Sequence, residues 1–371
     1  MPPLLASMAT THYSPPPLLP RARTSVSAGG LPPFLPKEVD RIKDRQVIEL
    51  AKRIERVPVK IDSVKKPIMS SCIKPLQQDS DEAVVLIHGF DSSCLEWRYT
   101  YPLLEEAGVE AWAVDILGWG FSNLETLPPC DVSTKREHLY QLWASYIKKP
   151  MVLVGASLGA AVAVDFAVNY PEAVSKLVLV GACVYTKGTG NMTKLPKFIA
   201  YAGVNILKIL PLRLYAMKLV FNNVPEGSLL DWTRVGQLHC HLPWWEEATV
   251  GFMRSGGYND VDLIKQVKQK TLIIWGEDDK IVSKEFATKL YNDIEGSVLC
   301  LIPNCGHLPH VERPQIVIEQ ILSFCAKENA VRYSFRRFLF YSSFAFFFVA
   351  LFYCIGIISN CLSGLSSVTK G

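Results

Sequence analysis

Three residue types that together can activate a hydroxyl follow one another along this 371-residue chain. Gly155-Ala156-Ser157-Leu158-Gly159 is a G-x-S-x-G motif. A carboxylate cluster follows at Glu277, Asp278 and Asp279, and Gly306-His307 comes after it. A serine hydroxyl is a poor nucleophile until a base removes its proton. An imidazole does that near neutral pH and can return the proton to a leaving group, while a carboxylate fixes its tautomer. The chemistry this set would support is acyl transfer through Ser157, with His307 as acid and base. Asp279 is the preferred carboxylate, because it precedes the apolar pair Ile281-Val282; Asp278 and then Glu277 are the alternatives.

The elements needed to position these groups are legible around them. The apolar run Met151 to Val154 leads into the motif, and a helix-like stretch, Ala160 to Tyr170, leaves it. Strand, G-x-S-x-G, helix is the context of a nucleophile elbow, whose glycines let the chain pass close to a sharply turned serine. The helix brings its positive N-terminal end to the site. Lys270 to Gly276 reads as a buried strand ending at the acids, and Ser297 to Pro303 as another ending before His307. The strand over Lys176–Gly181 leads into Ala182-Cys183-Val184-Tyr185, which offers no acid. Among the other histidines, His310 is the competitor of His307, although the Gly306-His307 pair favours the latter. His88 is expected in a structural or pocket role and His138 on a solvated helix face. His239 and His241 flank Cys240, but the sequence shows no third ligand, so no metal and no cofactor are expected.

Taken together these motifs resemble the α/β-hydrolase superfamily, over roughly residues 82–326. The Gly276-to-Asp279 spacing and the closing Gly306-His307-Leu308-Pro309-His310-Val311-Glu312-Arg313-Pro314 are similar to that family's pattern. The resemblance implies a mostly parallel sheet flanked by helices, with a helical cap inserted. It also implies an oxyanion hole made by the backbone amides of Leu158 and of Phe90, in the loop His88-Gly89-Phe90 after the apolar run Ala83–Ile87. Asp115 and Ser122, in a D-x-x-G-x-G-x-S loop, would be structural. Dehalogenases and epoxide hydrolases carry aspartate where Ser157 stands, so the resemblance points to esterase-type chemistry. The stretch Leu31 to Val59 looks like the leader of plant plastid α/β hydrolases, a group that includes enzymes removing phytol from chlorophyll and feeding tocopherol synthesis. That narrower likeness implies a phytyl-type ester in the plastid; with the N-terminal composition and the C-terminal apolar stretch described below, the expected location is the chloroplast, associated with the envelope or thylakoid membrane. A generic carboxylesterase or acyl-lipid hydrolase, and a ligand receptor that keeps the triad without turnover, are the alternatives.

Composition adds boundaries. A net charge of +4 does not suggest a nucleic-acid partner, and ten scattered cysteines without a C-x-x-C pair suit free thiols in a reducing compartment. Residues 1–36 lack Asp and Glu and are rich in Pro, Ser and Ala, as organelle transit peptides are. Residues 37–60 are expected to form an amphipathic helix, with Val47, Leu50, Ala51, Ile54 and Val57 at helical spacing and packed on the domain. The hydrolase core is expected over 61–183 and 266–326. Residues 338–358 are uncharged throughout, long enough for a transmembrane helix, with Arg332, Arg336 and Arg337 before them.

The insertion, residues 184–265, is the expected cap. From Ala173 to Pro225 there is no acidic residue, while Lys176, Lys187, Lys194, Lys197, Lys208, Arg213 and Lys218 lie among large apolar side chains. Such a segment suits contact with an anionic lipid surface and a lipophilic ester. Phe90, Trp244 and Trp245 are the expected substrate-contacting side chains; oligomeric state is not specified by the sequence.

Overall fold

The structure, a computed structural model, describes residues 30–194 and 196–326. The expected transit segment, up to residue 29, and the expected transmembrane stretch 338–358 lie outside the described residues. Among the described residues no single helix is long and apolar enough to cross a membrane.

Eight strands form one sheet: β1 (Glu55–Val59), β2 (Ile68–Ile73), β3 (Ala83–Ile87), β4 (Ala111–Val114), β5 (Met151–Ala156), β6 (Val174–Val180), β7 (Lys270–Gly276) and β8 (Val298–Ile302). Their spatial order is β1-β2-β4-β3-β5-β6-β7-β8, and β2 alone runs antiparallel to its neighbours. Every residue of β3, β4 and β5 is buried, which is why these strands read as unbroken apolar runs rather than alternating ones. The chain goes from β3 outward to β4 and then returns to place β5 on the other side of β3. That reversal is a topological switch point, where open α/β sheets open a crevice at their strand ends. The loop carrying Gly89-Phe90 and the turn carrying Ser157 flank it.

The helices are α1 (Arg45–Ala51), α2 (Thr100–Glu106), α3 (Val132–Leu142), α4 (Leu158–Asn169), then α5 (Lys197–Ile206), α6 (Leu210–Val220), α7 (Ser228–Gln237) and α8 (Trp245–Ser255), and finally α9 (Glu285–Asp293), α10 (Pro309–Glu312) and α11 (Pro314–Cys325). Those from α5 to α8 fill the insertion between β6 and β7, the position of the expected cap.

One sequence expectation is corrected here. A single helix over 37–60 does not form. A 3-10 turn spans Lys37–Arg41, α1 starts after Asp44, whose carboxylate caps the Gln46 amide at 3.0 Å, and residues 55–59 are strand β1. Pro58 cannot continue a helix, whereas an edge strand tolerates it. Val57 and Val59 then alternate with exposed Pro58 at the strand period. The expected docking on the domain holds: Val47, Leu50, Ala51, Ile54 and Val57 are all buried.

Candidate active site

Ser157 sits between β5 and α4 with φ 52 and ψ −116, a conformation that L-residues rarely adopt. The two motif glycines make it possible. A Cβ at Gly155 would overlap the carbonyl oxygen of Gly159, and a Cβ at Gly159 would run into the carbonyls of Ile87 and His88. Ser157 N donates to Val180 O at 2.8 Å, and Cys183 N donates to Ser157 O at 3.1 Å, so neighbouring backbone holds the strained residue in place.

The sheet brings the three expected groups together from distant parts of the chain. His307 Nε2 is 2.9 Å from Ser157 Oγ, and His307 Nδ1 is 2.7 Å from Asp279 Oδ2. Asp279 uses its other oxygen to accept from the amides of Ile281 and Val282 at 2.8 and 2.9 Å, which fixes the carboxylate. Asp278 bonds instead to Asn222 Nδ2 at 2.8 Å and makes no bond to the imidazole. The His307 turn is itself seated against the cap, since His307 N donates to Val220 O at 2.7 Å.

Opposite the serine, the turn after β3 is clamped from two sides. His88 is fully buried; its Nε2 accepts from the Ile116 amide at 3.0 Å, so Nδ1 carries the proton and donates to Gly89 O at 2.8 Å. Burial holds this imidazole below its ordinary range, so it stays neutral. In a trans peptide the N–H points opposite to the C=O, so fixing the Gly89 carbonyl also fixes the Phe90 amide. On the other side, the Glu96 carboxylate accepts from Gly89 N at 3.1 and 3.3 Å and from His310 Nε2 at 3.1 Å. Burial, the largest influence, would raise the Glu96 carboxyl, but the hydrogen bonds from His310 and Ser92 and the nearby imidazoles together outweigh it and hold the group below its ordinary range. His310, the rival histidine, therefore supports the loop and does not reach the serine. Leu158 opens α4, and a first helical residue has no carbonyl within its own helix to donate to. The Phe90 and Leu158 amides are thus the available pair of donors beside Ser157. Glu96 escaped notice in the sequence; an acid inside the mostly apolar run Cys94–Trp97 was its only signal.

Asp115 is structural, as expected. It accepts from Cys94 N at 2.6 Å, from Phe121 N at 2.8 Å and from Ser71 Oγ. Ser122 Oγ in turn accepts from Ser71 N at 3.0 Å. His138 corrects an expectation: it is buried, not solvated, and bonded to Ser70 Oγ. Burial, aided by nearby Lys135, pushes its imidazole down to about 3. The helix α3 that carries it lies against β1, which covers a face that periodicity alone left open.

The third ligand that the sequence did not show next to His239 and Cys240 is Asp91, and the three donor atoms lie within 4.8 Å of one another. A guanidinium fills the role of cation there. Arg213 Nη2 bonds to Asp91 Oδ2 and lies 3.0 Å from Cys240 Sγ, while His239 Nε2 and Trp245 Nε1 meet Asp91 Oδ1 at 3.0 and 2.7 Å. Trp245 is buried with its indole committed to this carboxylate, and Lys208 covers its ring. Trp244 is half-buried against the core. Phe90 is more open, with 36% of its surface exposed, and its ring meets Trp119 at 5.1 Å and Phe252 at 6.4 Å. Gly89 is close enough to Ser157 that a Cβ there would lie 3.4 Å from the serine Cβ. Phe90, which joins this aromatic trio, therefore follows directly on a residue packed against the nucleophile.

Cys183 was not foreseen as a neighbour of the nucleophile. Its Sγ lies 3.3 Å from Ser157 Oγ. Burial alone would lower the His307 imidazole, but the hydrogen bond to Asp279, with the nearby Cys183 thiol, raises it to about 9. Only the neutral imidazole can take the serine proton. Any reaction that begins with this proton transfer is therefore expected to rise with pH, with the acid limb of kcat/KM on the alkaline side of the ordinary histidine value of about 6.5. Cys183→Ala should move that limb to lower pH while the triad keeps working. A pH–rate series on both proteins checks this; identical limbs would remove Cys183 from any part in tuning the base.

Residues 84–320 match the alpha/beta hydrolase family. The chain is 54% identical over 318 residues to the alpha/beta hydrolase domain-containing protein VTE7 of Arabidopsis thaliana, covering 84% of this chain and 96% of that protein. An uncharacterized hydrolase, YugF, of Bacillus subtilis is 30% identical over 67% of this chain and 91% of its own length. Among solved structures, an esterase from Thermogutta terrifontis superposes with a TM-score of 0.61 at 18% identity, over 73% of this chain and 97% of its own, which speaks to the fold. The chain belongs to the alpha/beta hydrolase family.

Proposed function

We propose that the protein is a serine-dependent carboxylic ester hydrolase acting on a lipophilic ester in the chloroplast, with the phytyl ester of chlorophyll or a derivative as the leading substrate. The observation that carries the reaction class is the continuous chain Asp279–His307–Ser157, at 2.7 and 2.9 Å. Ser157 Oγ attacks the ester carbonyl as His307 Nε2 takes its proton. The carbonyl oxygen, now anionic, is held by the Phe90 and Leu158 amides. The imidazolium, stabilised by Asp279, protonates the departing alcohol and leaves an acyl-serine. Water, deprotonated by His307, then releases the acid. No step calls for a cofactor.

The lipophilic preference is supported by the aromatic wall of Phe90, Trp119 and Phe252. The plant and plastid setting is supported by the similarity to VTE7 of Arabidopsis thaliana over most of both chains and by the Leu31–Val59 leader. The test is direct. Purified protein should react with a fluorophosphonate at Ser157, hydrolyse a water-soluble short-chain ester and release phytol from a chlorophyll ester. Labelling without turnover above that of Ser157→Ala would leave the receptor reading instead. Turnover of the short-chain ester alone, together with unchanged phytol and tocopherol pools in plants lacking the protein, would retain the hydrolase and overturn the phytyl substrate.

A further inference from the structure

Helices α5 and α6 are bent against each other by 70° at a short break, and their exposed surface is the reverse of what a water-facing helix carries. On α5 the exposed positions include Phe198, Ile199, Ala202, Gly203 and Ile206; on α6 they include Leu212, Tyr215 and Ala216, with Ile209 exposed at the bend. These recur at helical spacing, and the two charges that fall among them in sequence, Lys208 and Arg213, are turned to Glu246 and Asp91. Six of the fifteen large apolar side chains exposed among the described residues fall between Phe198, which is 75% exposed, and Tyr215, which is 61% exposed. Exposed lysines frame the stripe: Lys194 and Lys197 at one end and Lys218 at the other. The carboxylate of Glu246, which meets the bend, is engaged by Asn205 and Lys208.

The inner face is fastened to the domain. Ala200 and Val204 are buried in the core, and Arg213 is tied to Asp91 beside the oxyanion loop. Val220 O at the end of α6 accepts from the backbone of His307. A pair of helices held down along one side in this way lies along a surface and does not span a bilayer.

We propose that the outer face of α5 and α6 docks on an anionic lipid bilayer, with its apolar stripe in the acyl–headgroup boundary and the flanking lysines on lipid phosphates. Charge selects this occupant. Across Ala173–Pro225 every ionisable Asp, Glu, Lys or Arg is basic, so a second copy presenting the same face would be repelled, whereas an anionic surface attracts each lysine. The docking rests on the lipophilic-ester reading for its purpose, because the inner side of the docked unit bonds to the loops on both sides of Ser157. A substrate leaving the bilayer would meet the cap at the element that touches the site.

The test uses the full chain with vesicles of phosphatidylcholine, with and without phosphatidylglycerol. Amide hydrogen exchange is followed over residues 197–220, so that any other attachment to vesicles does not enter the readout. Exchange there is expected to slow on the order of tenfold on the anionic vesicles and little on the neutral ones. The triple variant Lys194→Glu, Lys197→Glu, Lys218→Glu should lose that protection while hydrolysing the short-chain ester at the parental rate, which shows its fold intact. Equal protection on both vesicles, protection on neither, or protection in concentrated protein without vesicles (the mark of a protein partner) would each overturn the docking. Protection without turnover of any ester would sink the hydrolase reading and leave the docking standing.

Discussion

Ser157→Ala should lower kcat for ester hydrolysis by on the order of 10^4–10^6-fold, with substrate binding retained. His307→Ala should cost a similar factor, and the double variant little more than either alone. The two groups bonded at 2.9 Å work as one unit, so removing the second member of a broken unit removes nothing further. The residue left over is what the Phe90 and Leu158 amides provide without a nucleophile. Steady-state kinetics on the three proteins decide this; multiplicative losses in the double variant, or near-normal rates in Ser157→Ala, would place the nucleophile elsewhere. The backbone supplies an independent check. At φ 52, ψ −116 alanine keeps the strain that serine bears, whereas glycine is at home there. Ser157→Gly should therefore unfold at higher temperature than Ser157→Ala while being equally inactive. The relief is about 1–3 kcal/mol before glycine's own entropic cost of about 0.5–1 kcal/mol.

The contrast between Ser157 and Asp91 shows why some of the site was legible and some was not. Ser157, Asp279 and His307 each sit just past the end of a strand, in a sequence context short enough to be read locally. The parallel sheet then does the long-range work, because adjacent strands deliver their C-terminal ends to one edge. Asp91, Arg213, His239 and Trp245 carry no such context. They meet only because the insertion folds back over the loop after β3, at separations of 122 to 154 residues. Glu96 and His310 are 214 residues apart and were equally invisible as a pair. Cys183 lies in a stretch noted only for lacking an acid, and its approach to Ser157 follows from the turn that β6 makes beside β5. Residues 55–59 misled in the other direction: Val47, Leu50, Ala51, Ile54 and Val57 do fit a helical stripe, and only Pro58 spoke against extending it.

Glu96 carries the second large expectation, since it holds the Gly89 turn without touching the reacting atoms. In Glu96→Ala the Gly89 N–H and the His310 Nε2–H lose their common acceptor in a buried place, each at a cost of about 1–3 kcal/mol. The turn is then free to rotate its peptide, and the Phe90 amide leaves the position that the oxyanion will occupy. Loss of one such donor typically lowers kcat by about 10^2–10^3-fold. The substrate's neutral carbonyl gains little from that amide, so KM should change far less than kcat. Glu96→Gln can keep an oxygen at the Oε1 position, which accepts from both Gly89 N and His310 Nε2, but it loses the negative charge and puts an N–H where Oε2 faces the Gly89 N–H. Its kcat should fall between those of the parent and of Glu96→Ala. This split separates a positioning role from a purely structural one: a Glu96 that merely stabilised the fold would lower the unfolding temperature and leave the kcat of the folded fraction intact. The measurement is kcat and KM for both variants at a temperature where circular dichroism shows them folded. Unchanged kcat in folded Glu96→Ala would detach the oxyanion loop from Glu96 and leave His88 as its sole clamp.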